Sequence, residues 1–229
     1  LVTDAEVIRR HYLERYGAES VPIAYGVDPR PPAETGVLEK LGITPRQYFL
    51  YVSRFEPENN PHRVAEAYAR VGGDLPLVMV GGAPYAGRFI AGFTQGTDPR
   101  IRFPGPIYGE GYRELLSHAL AYVHATEVGG THPALVEAMG YGNCTLVNDT
   151  PENREVAGDV GIWFRAAEPG TLAERMDWVR GHPEEARALG KAAGERAARL
   201  FSWERVADQY AALLRRLAGR PPESYAGEA

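Results

Sequence analysis

Cysteine is almost absent. The 229-residue chain holds one, Cys144, which excludes an intrachain disulfide framework and leaves no set of thiolates for a metal cluster. Set in Asn-Cys-Thr-Leu-Val, it is expected to fill a core strand, the usual place of a free cysteine. Lysine is nearly missing as well, with 2 against 23 arginines, and the net charge is −5. No sustained basic stripe runs along the chain, so nucleic acid is not an expected partner. No apolar run approaches the roughly 18 residues that a membrane-spanning helix needs, and no secretory leader is recognisable. The chain opens Leu-Val-Thr-Asp without an initiator methionine, as a processed product or an excised piece would. What is present is the composition of an ordinary globular protein, 44% hydrophobic and 24% charged.

Thr3-Asp4-Ala5-Glu6 has the spacing of a capping box opening a helix that runs to about Tyr16 and stops at Gly17. A short strand at Val21–Ala24 and a turn at Tyr25–Asp28 follow. Pro29, Pro31 and Pro32 then mark a linker or boundary. From Tyr48 the pattern becomes regular. Short apolar runs (Tyr48–Ser53, Leu75–Val80, Ile101–Phe103, Ala121–His124, Thr145–Val147, Gly161–Phe164) alternate with helical segments at Pro61–Val71, Gly109–Ala119, Pro133–Gly140 and Asn153–Val156. That alternation predicts an α/β chain with a Rossmann-like, doubly wound parallel sheet. Three helical stretches end it, at Gly170–Arg180, Pro183–Leu200 and Ser202–Leu217, before a polar, disordered tail at 220–229.

Ligands of such sheets bind beyond the carboxyl ends of the strands, so the loops there carry the functional evidence. Arg54 ends the first strand of the regular pattern. It could fork onto a phosphate or pair with Glu56 or Glu58. Asn60 before Pro61 has the form of a helix N-cap. Gly81-Gly82 lets a ligand or another backbone approach closely. Phe103-Pro104-Gly105-Pro106-Ile107-Tyr108 is a stiff loop that could face a base or only connect. In Glu127–Asn143, Gly129-Gly130 is a flexible turn, Thr131 or His132 an N-cap and Pro133 a first helical residue. The N–H groups freed there form an anion site. Glu137 lies one turn further in, among apolar neighbours. Its carboxylate needs hydrogen-bond donors, which a ligand's hydroxyl pair would supply, unless the side chain faces solvent. His118, His124 and His132 lack a second ligand at metal spacing and read as structural.

The first strand is not followed by G-x-G-x-x-G, which excludes the usual nicotinamide site. A Walker loop and a G-x-S-x-G turn are also missing. The residues alone thus indicate a domain that binds a nucleotide or sugar phosphate.

Tyr48–Asn60 (YFLYVSRFEPENN), Leu75–Gly82, Ile101–Tyr108, Glu127–Asn143 and Thr150–Phe164 (TPENREVAGDVGIWF) come in an order that resembles retaining GT-B glycosyltransferases of family four, most closely a rhamnosyltransferase-like bacterial branch. The resemblance covers Tyr48 to Leu217 and implies the C-terminal, donor-binding half of such an enzyme. Residues 1–28 resemble the tail of an N-terminal acceptor domain that is otherwise missing, 29–47 a linker region, and 48–219 the nucleotide-sugar-binding domain. By position, Arg54 would contact the donor diphosphate. Asn59 stands where the family usually has a lysine. Gly82 and the loop Gly105-Pro106-Ile107 would flank the nucleotide, and Gly130, Thr131 and His132 would present N–H groups to the diphosphate and sugar. Glu137 would hold the ribose hydroxyls. The family's sugar-contacting glutamate falls at Gly129, and Glu127 is the nearest acid that could replace it. The resemblance implies transfer of a hexosyl group from a UDP-, GDP- or dTDP-sugar to a glycan or other acceptor, with no cofactor and no metal. This chain alone is expected to be inactive. The implied setting is cytoplasmic, in polysaccharide assembly, peripheral at the inner membrane. A non-catalytic nucleotide-binding module, or a GT-B enzyme that hydrolyses or epimerises a nucleotide-sugar, fits the same residues.

Overall fold

The computed structural model describes residues 1–219; the stretch 220–229, expected to be disordered, lies outside the described residues. The elements run β1 (Val2–Thr3), α1 (Glu6–Tyr16), β2 (Val21–Pro22), α2 (Val37–Leu41), β3 (Phe49–Arg54), α3 (Pro61–Tyr68), β4 (Leu77–Gly82), α4 (Gly87–Thr94), β5 (Ile101–Gly105) and α5 (Gly109–His118). They continue with β6 (Ala121–His124), α6 (Pro133–Gly140), β7 (Cys144–Asn148), α7 (Pro151–Ala157), β8 (Gly161–Phe164), α8 (Pro169–Gly181), α9 (Pro183–Leu200) and α10 (Trp203–Leu217).

Strands β3 to β8 form a six-stranded sheet in the order β5-β4-β3-β6-β7-β8, and every pairing is parallel. The strands are short and apolar on both faces, as parallel sheets covered by crossover helices require. Successive side chains divide between the two faces. Phe49, Tyr51, Leu77 and Met79 pack with Tyr68 of α3 and Met176 of α8. Tyr48, Leu50, Val78 and Val80 pack with Leu115 and Leu116 of α5. Cys144 is buried in β7, and burial pushes its thiol up to about 12.

Two close backbone approaches stand out, one within the sheet and one between α9 and the turn before β7. A Cβ at Gly81 would stand 1.8 Å from the Ser53 carbonyl oxygen, and one at Gly190 of α9 would stand 2.2 Å from that of Gly142. Only glycine permits these approaches.

The proposed capping box does not form: Ala5 is the N-cap of α1 and makes no side-chain cap. Glu155 of α7 takes that role from a distance of 149 residues in sequence, accepting hydrogen bonds from the N–H groups of Glu6 (2.6 Å) and Val7 (2.9 Å). Asn60 occupies the N-cap position of α3 in a left-handed conformation without capping. Its amide donates instead to the Ala125 carbonyl (2.9 Å) and to Glu127 (3.0 Å). Helix α4 was not anticipated, because its two glycines weaken local propensity. Tertiary packing supplies what propensity does not, with Phe93 set edge-on against Phe55 at 5.6 Å. Within 29–47, α2 forms between two left-handed glycines, Gly36 and Gly42, and Val37 and Ile43 join the core beside Leu115.

The N-terminal segment buries Thr3, Ala5, Ile23 and Val27 but adds no strand to the main sheet. β1 and β2 make a separate parallel pair, and α1 contributes no buried residue. Val27 is bridged to Ser202, and its N–H donates to the Phe201 carbonyl at 2.6 Å.

Candidate functional site

The chain runs outward from β3 through β4 to β5, then returns to place β6 on the other side of β3. The order reverses between β3 and β6, and the loops that hold the candidate residues follow the carboxyl ends of β3, β4, β5 and β6.

On the β3 side, Arg54 stands in register with Gly82. Its guanidinium lies 3.4 Å from the Glu56 carboxylate, with the arginine side chain 74% exposed and the glutamate side chain only 11%. Glu56 also accepts a hydrogen bond from the Tyr85 hydroxyl. The arginine is therefore tethered at one point and otherwise free to turn toward a ligand. Asn59 is differently placed. Its amide donates to the Arg54 carbonyl at 2.9 Å and accepts from the Thr126 hydroxyl at 3.1 Å, so both ends bind the fold. Gly82 faces Pro106, which a Cβ there would approach to 3.6 Å. Gly105 ends β5 in a left-handed conformation, and Ile107 turns inward against the core that Tyr112 also packs on.

On the β6 side, His132 is the N-cap of α6 and makes no side-chain cap; Pro133 follows at the first helical position. The Thr131 hydroxyl donates to the Asp4 carbonyl instead. Among the described residues, no acceptor meets the backbone N–H groups of Gly130, Thr131 and His132. Gly130 and Thr131 are nevertheless buried. Buried N–H groups without partners are unusual and costly, and at a helix start they favour an anion. Glu127 is exposed, and its carboxylate accepts from Asn60 on the neighbouring loop.

Glu137 is half-buried on α6 and accepts a hydrogen bond from the Tyr112 hydroxyl at 2.6 Å. Burial, with Tyr122 and the charge of Glu137 adding to it, holds the Tyr112 phenol far above the ordinary tyrosine range. One carboxylate oxygen of Glu137 is thereby engaged. The residue lines a cleft of about 390 Å³ together with Gly26, Asp28, Arg30, Tyr112 and Arg113. Both arginines in it are paired, Arg30 with Asp28 at 2.8 Å and Arg113 with Glu110.

Sequence reasoning missed Tyr112, Arg30 and Arg113. They stand on α5 and on the proline-rich stretch, at positions where no spacing marks a ligand, and only the tertiary fold brings them to Glu137. Asp28 closes the Tyr25–Asp28 turn, a stretch that also resembles the family's interdomain signature.

Comparison with known proteins decides the family: the group 1 glycosyl transferases match residues 38–196, well over half of the chain. The chain belongs to that family. A D-rhamnosyltransferase, WbpZ of Pseudomonas aeruginosa, is 26% identical over 201 residues, which cover 83% of this chain and 51% of the relative. The chain thus spans about half the length of that protein. Among solved structures, Anabaena HepE in complex with UDP and glucose superposes with a TM-score of 0.84 at 16% identity, over 95% of this chain and 62% of HepE. Sucrose-phosphate synthase of Thermosynechococcus elongatus gives a TM-score of 0.79 at 21% identity, over 95% and 58% of the two chains. These likenesses establish a GT-B Rossmann-like half. No described helix is long and apolar enough to cross a membrane.

Proposed function

We propose that this group 1 glycosyl transferase chain is the donor-binding half of a retaining enzyme that transfers a hexosyl group from a nucleotide-sugar to a glycan or other acceptor. The observation that carries the reading is the start of α6, where three N–H groups lack acceptors among the described residues, while Glu137, one turn further along the helix, lines a cleft. The N–H groups would take the diphosphate, and the free oxygen of Glu137 would take the ribose hydroxyls. Arg54 would swing from Glu56 onto the phosphates. Fixed N–H dipoles and a guanidinium, aimed where negative charge grows on the leaving diphosphate, lower the barrier without reorganising during the reaction. Neither group needs a metal for this. Gly82 and the Gly105-Pro106-Ile107 loop would border the base.

The nucleotide is a UDP-, GDP- or dTDP-sugar. UDP is bound by the HepE relative, and the name of the WbpZ relative makes a rhamnosyl group one candidate for transfer. Both of these relatives are bacterial, and we place the reaction in polysaccharide assembly on the cytoplasmic side of the inner membrane. Acceptor binding is assigned outside the elements described here, so this chain binds the donor without transferring sugar by itself.

A thermal-shift screen with UDP, GDP, dTDP and ADP tests the reading. At 100 times its Kd a ligand stabilises the folded state by about 2.7 kcal/mol. At least one of the four should raise the melting temperature in the millimolar range. Four flat responses would remove the nucleotide from the proposal.

A further inference from the structure

The cleft that holds Glu137 has a second polar wall. Asp28 and Arg30 line it, and their pairing leaves groups unused. Arg30 donates through both Nε (3.0 Å) and Nη2 (2.8 Å) to one oxygen, Asp28 Oδ2. Asp28 Oδ1 and Arg30 Nη1 have no hydrogen-bond partner among the described residues. One acceptor and one donor thus stand side by side. The Asp28 and Arg30 side chains are 55% and 70% exposed. An exposed ion pair holds its members weakly, so both can turn to a ligand.

The backbone that carries the pair is fixed on both sides. Before it, the Val27 N–H donates to the Phe201 carbonyl at 2.6 Å. After it, Glu110 of α5 accepts from the Ala33 N–H at 3.1 Å. The buried Glu114 accepts from the Thr35 N–H (2.7 Å) and hydroxyl (2.6 Å). A pair held in place beforehand costs a ligand little ordering. The same cleft is where a base belongs. The Gly105-Pro106-Ile107 loop assigned to the base leads into α5, whose Gly109 and Arg113 are also lining residues. A nucleotide with its ribose on Glu137 has its base one sugar ring away, against the remaining walls. Tyr141 and Trp203 offer aromatic faces there.

The chemistry of the pair selects among bases. Guanine sets two adjacent donors, N1–H and the 2-amino group, beside the O6 acceptor. A carboxylate, which only accepts, takes both N–H groups, and a guanidinium takes O6. Uracil and thymine hold one N–H between two carbonyls, so the same carboxylate would face a carbonyl oxygen. Adenine has an acceptor at N1 and an amino group in place of O6, the reverse at both points. We propose that the donor is a guanosine-diphosphate sugar, with Asp28 accepting from N1–H and the 2-amino group and Arg30 donating to O6. This rests on the nucleotide-sugar reading and narrows it to one base.

Calorimetric titration of the whole chain with six diphosphates tests it: GDP, UDP, dTDP, ADP, inosine diphosphate and xanthosine diphosphate. Inosine lacks the 2-amino group, and xanthosine has a carbonyl in its place. GDP should bind about tenfold or more tightly than UDP, dTDP and ADP, as for one hydrogen bond to a charged group. Inosine diphosphate should fall between. Asp28→Asn, whose amide offers one acceptor and two donors, should erase the margin of GDP over inosine diphosphate. It should also raise xanthosine diphosphate affinity relative to GDP by about tenfold. A residue that only shapes the fold would not turn the preference toward a particular base. Arg30→Met should weaken GDP and inosine diphosphate by the same factor, about tenfold. If UDP, dTDP or ADP binds as tightly as GDP, the proposal is overturned and the nucleotide reading stands. The same holds for a GDP preference unchanged in both Asp28→Asn and Arg30→Met. Binding of none of the six overturns the nucleotide reading, and this inference with it.

Discussion

The Tyr112 hydroxyl donates to Glu137 across the gap between α5 and α6, at 2.6 Å. That bond fixes one carboxylate oxygen and leaves the other to the cleft, so the two residues should separate in function. Glu137→Ala should lower nucleotide affinity by tenfold or more, because hydrogen bonds to a charged group contribute about 1.5–3 kcal/mol. Tyr112→Phe should cost less than Glu137→Ala, since the carboxylate remains and loses only its orientation. Calorimetry with the nucleotide that gives the largest thermal shift decides it. Unchanged affinity in Glu137→Ala would sink the ribose assignment.

Glu155 acts as the cap of a helix remote in sequence, and its removal should be felt there first. Glu155→Ala leaves the Glu6 and Val7 N–H groups without their acceptor. A lost cap costs about 1 kcal/mol, or about 2–4 °C in melting temperature for a domain of this size. Amide hydrogen exchange at Glu6 and Val7 should accelerate while that of β3 and β6 stays slow. Equal acceleration throughout would mean that α1 and the sheet open as one unit.

Gly81→Ala and Gly190→Ala should both be strongly destabilising, by more than about 2 kcal/mol, the first for a clash within the sheet and the second for one between α9 and the turn before β7. The first drives a methyl group into the Ser53 carbonyl and the second into that of Gly142. Gly87→Ala, on α4 with nothing near its added methyl group, is the control and should be neutral or slightly stabilising. Urea denaturation at fixed pH measures all three. A tolerated Gly81→Ala would show that β3 and β4 can separate at the end that carries Arg54.

Stability should fall as pH drops below about 6.5, the ordinary histidine value. His62, His124 and His132 all have folded values lowered chiefly by burial. Below that pH the unfolded chain takes up protons that the folded chain refuses, so acid favours unfolding. The stability is fully present above the unfolded value and declines until the folded values are reached. From His124 alone the slope is up to about 1.4 kcal/mol per pH unit. Melting curves between pH 8 and pH 5 should show the decline, and His124→Phe should flatten it. A flat profile in the unmodified protein would contradict the burial of His124 in neutral form.

The sheet was legible because its signal is local and repeated. Runs such as Phe-Leu-Tyr-Val and Leu-Val-Met-Val are apolar at every position, which only a strand covered on both faces requires. The start of α6 was legible for the same reason, since glycine, proline and acid stand within a few residues of one another. What stayed hidden depends on distant partners. Glu155 capping α1 and Phe93 holding a glycine-rich α4 against Phe55 are tertiary relationships with no trace in local spacing. Asn59 shows the other limit. Its place in the sequence suggests a ligand contact, yet its amide is already bonded to Arg54 and Thr126.

The junction of Val27 with Ser202 has a mechanical consequence. Beside it, the Trp203 ring lies against the bare α-carbon of Gly26, where an added Cβ would meet it at 2.6 Å. The segment before Val27 and helix α10 are thereby pinned to each other next to the six-stranded sheet. Val27 at this junction also packs with Leu135 and Met139 of α6 and Val147 of β7, so the tie between the two ends of the chain is seated on the core. Gly26 and Trp203 also form part of the wall around Glu137, so the tie and the cleft share the same two residues.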